Sequence, residues 1–190
     1  MSLKNKKLLI ITDGFPDKNN YSIDCQFVKD QVDYICDYFK EVIVICPKAY
    51  FPKFLINFKF FPKNWKKRSN YKNYFYKNVS VFYPNYFALP VSFFKKLIPN
   101  FAYFSTNKTI KKNKIEFDLI HSHFTLKSGF VGKKLAQKYN IPVILTIHES
   151  KNWFLKLYNL NSNFVADIWS AADLLIRVNQ QDVEKLKKTK

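Results

Sequence analysis

No aspartate or glutamate occurs between Val42 and Ile115, a stretch that carries 15 basic residues. Even spreading of the chain's 14 acids would put roughly five there, so the middle of the chain is selectively cationic. Arginine is nearly absent too: 30 of the 32 basic residues are lysine. Readers of phosphate backbones and base edges lean on arginine's forked donors, so a net charge of +18 fits an anionic membrane surface better than nucleic acid. The codon bias of an AT-rich genome inflates lysine together with Asn, Ile, Phe and Tyr; it accounts for much of the total but not for the distribution. Glycine is scarce, three in 190 residues, which argues against a fold of many tight turns. The cysteines, Cys25, Cys36 and Cys46, are odd in number and form no C-x-x-C pair, which points to a reduced, cytoplasmic protein. The apolar run LLIIT is too short for a secretory leader, and none is expected. The uncharged run Val79 to Phe94 is broken by Pro84, Asn85 and Pro90 and falls short of the roughly 20 residues that span a bilayer. Neither G-x-G-x-x-G, G-x-x-x-x-G-K-[ST] nor G-x-S-x-G occurs, which removes dinucleotide, P-loop and nucleophile-elbow sites from consideration.

What is present fills a core: 47% of the residues are apolar, among them 20 Phe, 12 Tyr and 3 Trp. KKLLIIT at 6–12 reads as a buried strand, followed by a loop and a helix capped by Ser22 with Asp24 in its first turn. EVIVICP at 41–47 is a second strand, and within the cationic middle VSVFYP reads as a further strand, followed by a helix from about Val91 to Lys112. The alternation returns with FDLIHSHF, a helix from about Lys127 to Tyr139, PVILTIHE, a helix across Trp153 to Ala171, and ADLLIRVN. Such a series predicts a single α/β domain, a Rossmann-like parallel sheet with helices on both faces and right-handed crossovers. Ligands of such sheets collect at the carboxyl ends of the strands. Gly129, Gly132 and Ala136 share one helix face, which lets that helix approach the sheet closely.

The chain's three histidines fall at such ends. His121 and His123 alternate with period two and face the same side of their strand, and His148 closes the next β-strand. Three readings are open. H-x-H with a third imidazole can hold zinc, as in a metallohydrolase, although too few βα units are present for an eight-stranded barrel. Histidines at strand ends can simply be satisfied structurally. Or the three converge on a polar cleft.

The strings KKLLIITDGFPDKNNYS, QFVKDQVDYI, FDLIHSHFTLKSGFVGKKLAQKYNIPVILTIHES and ADLLIRVNQQDVEKL resemble, in order and spacing, the amino-terminal half of family 4 retaining glycosyltransferases. The resemblance implies a GT-B enzyme in which two Rossmann-like domains face each other across a cleft. The first domain takes a glycan or lipid-linked acceptor, and the second grips a nucleotide sugar. It assigns residues 1–190 to the acceptor-side domain, with 47–78 as a cationic, aromatic-rich insertion. The donor-binding domain is expected to lie outside these residues, so the chain alone should lack turnover. Carried over by position, His123 would sit beside the reacting sugar and acceptor hydroxyl, and His148 would line the cleft as its catalytic partner. Gly14 opens the first βα loop near donor phosphate and acceptor. Many relatives have a glycine pair where this chain has Asp24 and Cys25, so Asp24 would bind an acceptor hydroxyl instead. His121 and Glu149 complete the substrate-binding set. No metal and no cofactor is expected, since stabilising a departing nucleotide diphosphate requires positive groups and helix amino termini rather than a strong base.

The cationic middle fits the same reading. Twenty of the 35 aromatics lie between Tyr50 and Phe104, interleaved with lysines. They either fill a core or present rings and ammonium heads to lipid headgroups on the inner face of the cell membrane, a contact that high salt would release. A non-catalytic basic module that binds polyanions is the remaining alternative.

Overall fold

The computed structural model describes residues 3–19, 25–50, 71–88, 92–159 and 163–179. Seven strands form one sheet in the order β4-β5-β2-β1-β7-β8-β9: β1 (Lys7–Ile11), β2 (Glu41–Ile45), β4 (Tyr74–Tyr76), β5 (Val79–Phe82), β7 (Leu119–His123), β8 (Val143–Ile147) and β9 (Leu174–Arg177). All pairings are parallel except β4 with β5, an antiparallel hairpin at the edge. Two short strands, β3 (Lys48–Tyr50) and β6 (Asn85–Phe87), pair in parallel as a separate ladder. Among the described residues the α-helices are α1 (Gln26–Ile35), α2 (Ser92–Lys112), α3 (Phe130–Tyr139), α4 (Lys151–Asn159) and α5 (Asn163–Ser170).

Both faces of the central strands are covered, which is why they read as continuous apolar runs rather than alternating ones. On one face Leu8, Ile10, Val42, Val44, Val79 and Val81 pack against Val28 and Val32 of α1. On the other, Leu9, Ile11, Ile43, Ile45, Ile120 and Val143 meet Ala102 and Ile110 of α2 and Val131 and Leu135 of α3. A third cluster joins Leu145 and Ile147 of β8 to Phe154, Leu157, Ile168 and Trp169.

The helix expected across Trp153–Ala171 comprises α4 and α5, with residues 160–162 outside the described residues. The expected cap Ser22 also lies outside them, and the described α1 is preceded by Cys25 in a left-handed conformation. Within the expected insertion 47–78, residues 51–70 are not described, but its two ends are built into the fold as β3 and β4. Its aromatics divide. Tyr71 is buried along with the neighbouring Tyr83 and Tyr86, whereas Tyr50, Phe75, Phe87 and Phe104 are exposed. The hydroxyls of Tyr74 and Tyr83 both donate to the carbonyl of Pro16, tying the hairpin to the loop after β1. Asn78, in the hairpin turn, donates to the carbonyls of Cys36 and Phe39 at the end of α1.

The close approach of α3 to the sheet is real. A Cβ on Gly132 would collide with Oγ of buried Ser122 and lie 3.2 Å from its Cβ and 3.4 Å from Val143 Cγ2. Gly132→Val is expected to cost about 1–3 kcal/mol by overpacking, lowering Tm by roughly 2–4 °C for each kcal/mol in a domain of this size. A thermal melt followed by circular dichroism checks this.

Candidate functional site

Period-two alternation puts His121 and His123 on the α1 side of β7, because Ile10, their neighbour across β1, packs there. In the parallel register His123 lies beside Thr146, two residues before His148. His121 Nε2 and Thr146 Oγ1 are 2.8 Å apart, and His123 Nδ1 and His148 Nε2 share an N–H···N bond of 2.9 Å whose donor depends on the tautomer. The ring centroids of His121 and His123 are 4.2 Å apart, and those of His123 and His148 are 5.1 Å apart and stacked. Phe27 of α1 closes over His148 at 4.6 Å.

Burial holds all three imidazoles neutral. His121 is 5% exposed and drops to about 4 through desolvation, with His148 adding to it. His123, fully buried, drops to about 2 through desolvation and then its two histidine neighbours. His148 drops to about 4 through desolvation and then the charge of Arg177. Neutral imidazoles near pH 7 both donate and accept, which suits hydroxyls better than it suits an anion. His123 Nε2 is buried with no hydrogen-bond partner, and neither His121 nor His123 lines the cleft that opens at this edge, so of the three histidines predicted for the site only His148 reaches it.

The chain after β7 is shaped to meet the chain after β8. Phe124 has φ 76°, a conformation rare for a non-glycine residue, and leads into a π-type turn over Thr125–Gly129. There Thr125 N donates to Glu149 Oε1 at 2.6 Å, and Trp169 Nε1 donates to Thr125 Oγ1 at 3.1 Å. Arg177, at the end of β9, donates from Nη1 to the carbonyls of Ile147 and Glu149 and lies 4.6 Å over the ring of Phe154. The segment bearing His148 and Glu149 is thus held from two directions. Burial raises the Glu149 carboxyl above its ordinary range, and its Oε2 has no partner.

These groups border an open cleft of about 420 Å³ lined by Asp13, Phe124, Leu126, His148, Glu149, Ser150, Trp153 and Leu157. Acids, an imidazole and a half-exposed indole side by side are the groups that bind sugars: hydroxyls take the polar atoms and the apolar ring face takes the aromatic. Of the residues singled out in the sequence, His121, His123, His148 and Glu149 come together at this edge. Gly14 is buried in the first loop, its carbonyl accepting from Thr12 Oγ1. Asp24 lies outside the described residues. Sequence reasoning missed Asp13, which accepts from Ser128 Oγ and sits 3.7 Å from Lys127 Nζ. Its signal was its position two residues after β1, at the same carboxyl edge. Trp153 and Arg177 were missed as well. As for zinc, the His123–His148 bond turns two of the three imidazoles toward each other, and among the described residues no three His, Cys, Asp or Glu side chains are grouped to hold a metal.

Comparison with known proteins gives the fold and the family. The chain superimposes on a sucrose-phosphate synthase from Thermosynechococcus elongatus with a TM-score of 0.58 at 15% identity, covering 96% of this chain and 82% of that one. A Listeria monocytogenes protein provisionally assigned as a UDP-N-acetylglucosamine 2-epimerase gives a TM-score of 0.53 at 12% identity, covering 97% of this chain and 42% of that one. These likenesses show the Rossmann-like architecture alone. In sequence the chain is 29% identical over 146 residues to TuaC of Bacillus subtilis (strain 168), provisionally named a teichuronic acid biosynthesis glycosyltransferase, covering 76% of this chain and 36% of TuaC. It is 50% identical over 50 residues to the uncharacterized glycosyltransferase MJ1178 of Methanocaldococcus jannaschii, covering 25% of this chain and 14% of that protein. The chain therefore spans well under half the length of the curated relatives it matches. The family model described as Glycosyltransferase Family 4 matches residues 41–189, which include both histidine-bearing strands; the chain belongs to Glycosyltransferase Family 4.

Proposed function

We propose that residues 1–190 are the acceptor-side domain of a retaining glycosyltransferase that moves a sugar from a nucleotide sugar to a glycan or lipid-linked acceptor. The observation that carries this is the cleft at the carboxyl ends of β7 and β8, where neutral His148, half-buried Glu149, Asp13 and Trp153 meet in a chain of this family. TuaC, a relative, is named for teichuronic acid biosynthesis, which fits an acceptor of the glycan class.

The roles follow from the chemistry of the groups. Trp153, 56% exposed, offers its ring to the apolar face of an acceptor sugar. Glu149 Oε2 and Asp13 accept from sugar hydroxyls. His148, which lines the cleft, meets the reacting hydroxyl, and the fully buried His123 backs it through Nδ1, so the His123–His148 pair can share a proton without carrying charge. Retention proceeds through an oxocarbenium-like state with a departing nucleoside diphosphate. Its negative charge is met by helix amino termini and basic side chains, chiefly those of a second, donor-binding domain, so neither metal nor cofactor is required. No helix among the described residues is long and apolar enough to cross a membrane. The cationic middle instead rests on the anionic inner face of the cell membrane, near a lipid-linked acceptor.

The chain alone should then release no nucleoside diphosphate above buffer from UDP- or GDP-sugars in the presence of saccharides, measured by a coupled assay. Turnover by these 190 residues alone would overturn the assignment to one half of the enzyme.

A further inference from the structure

Phe124, the residue after β7, holds φ 76° and ψ 147°, backbone that glycine adopts freely and a residue with a Cβ adopts only at a cost. The conformation is fixed from both flanks. Phe124 N donates to the carbonyl of Thr146 at 2.9 Å, Gly129 N donates to the carbonyl of Phe124 at 2.9 Å, and Thr125 N donates to Glu149 Oε1 at 2.6 Å. On the side of residues 124, 125 and 129 all of these atoms belong to the main chain, so a glycine at 124 would make the same bonds without the strain. What phenylalanine adds is its ring. That ring is half-buried, lines the cleft together with Trp153, and lies 5.3 Å from the imidazole of His148. Backbone strain that the surroundings enforce, with the strained side chain facing a cleft, points to a working role for that side chain.

We infer that Phe124 is an acceptor-contacting residue that, with Trp153, selects a pyranoside as acceptor: its ring takes the apolar C–H face of the sugar and turns a hydroxyl of that sugar toward His148. The inference rests on the acceptor reading of the cleft and narrows its substrate class to ring sugars, against open-chain polyols. A pyranose presents several C–H bonds on one face, which a flat aromatic ring matches, whereas a polyol has the hydroxyls and no such face. Asp13, Glu149 and His148 offer hydrogen bonds to either, so the polar groups of the cleft do not tell the two apart. The two rings come from separate elements, Phe124 from the end of β7 and Trp153 from α4, so part of the discrimination survives the loss of one.

The test is a saturation-transfer NMR titration of the 190-residue chain with the methyl β-pyranosides of glucose, galactose and N-acetylglucosamine, each compared with glucitol. Wild type is expected to bind at least one pyranoside about tenfold tighter than glucitol. Phe124→Gly should cut that preference about fivefold and Phe124→Tyr should keep it, whereas Glu149→Gln should weaken pyranoside and glucitol alike. Because glycine relieves the backbone, Phe124→Gly should also melt about 3 °C or more above Phe124→Ala, the reverse of the usual order for these two residues. That order separates loss of the ring from loss of the fold. A preference left intact by Phe124→Gly, with binding still weakened by Glu149→Gln, overturns the role of Phe124 and spares the acceptor reading. No saccharide binding by wild type overturns both, and Phe124→Gly melting below Phe124→Ala removes the strain on which the inference stands.

Discussion

Between pH 6.5 and 4.5 the domain is expected to lose on the order of 5 kcal/mol of stability, with His121 and His123 as the main cause. Both are held neutral in the folded protein, down to about 4 and about 2, whereas in the unfolded chain they protonate near 6.5. Below pH 6.5 the unfolded state binds protons that the folded state refuses, so stability falls as pH falls, by ~1.4 kcal/mol per pH unit for each group. His148, also held down to about 4, is more exposed and adds a smaller, screened share in the same direction. Glu149 acts the other way: its folded carboxyl is raised, so it takes up a proton before the unfolded one and offsets part of the loss. Against a typical stability of about 5–15 kcal/mol, a loss of this size removes a third of it or more. Urea denaturation at intervals from pH 7 to 4.5 measures it. Replacing His123 by Asn, which can keep the bond to His148, should remove roughly half the slope. A stability that stays flat from pH 7 to 5 would contradict buried, neutral His121 and His123.

Arg177→Met should show the second large effect. One guanidinium nitrogen serves the carbonyls of Ile147 and Glu149 at 2.9 and 2.7 Å, and its plane covers Phe154. Charge-assisted bonds are worth about 1.5–3 kcal/mol each to the fold, and two sharing one donor group fall short of additivity, so a loss of about 2–4 kcal/mol is expected. A merely structural change would stop there. Removing this charge should also let the His148 imidazole titrate nearer 6.5, because Arg177 is the second cause of its depression after burial. Chemical denaturation reads the first effect, and a ring-proton NMR titration reads the second. An unaltered His148 titration would show that the guanidinium does not act on the site.

Six strands, β1, β2, β5, β7, β8 and β9, were legible because a strand in the body of a parallel sheet needs an apolar run of about four or five residues, bounded by turn residues. The hairpin strand β4 was not, since Tyr74, Phe75 and Tyr76 are only partly buried or exposed and cannot advertise a face. The three-residue β3 and β6 were invisible for the same reason: too few residues to show a period. The histidines were legible because period two and parallel order alone bring His121, His123 and His148 to one edge. Asp13, Thr125 and Arg177 were not, because their contacts depend on which strands neighbour which. Arg177 reaches Glu149 only because β9 pairs with β8, and Thr125 meets Glu149 only because the chain turns sharply at Phe124.

Saturation-transfer NMR on the 190-residue chain, with mono- and disaccharides on one side and UDP and GDP on the other, tests the central claim most directly. Saccharide signals that weaken in Glu149→Gln and Trp153→Ala, with no signal from either nucleotide, are the result expected of an acceptor-side domain. Nucleotide binding at the cleft beside His148 without any saccharide signal would contradict it.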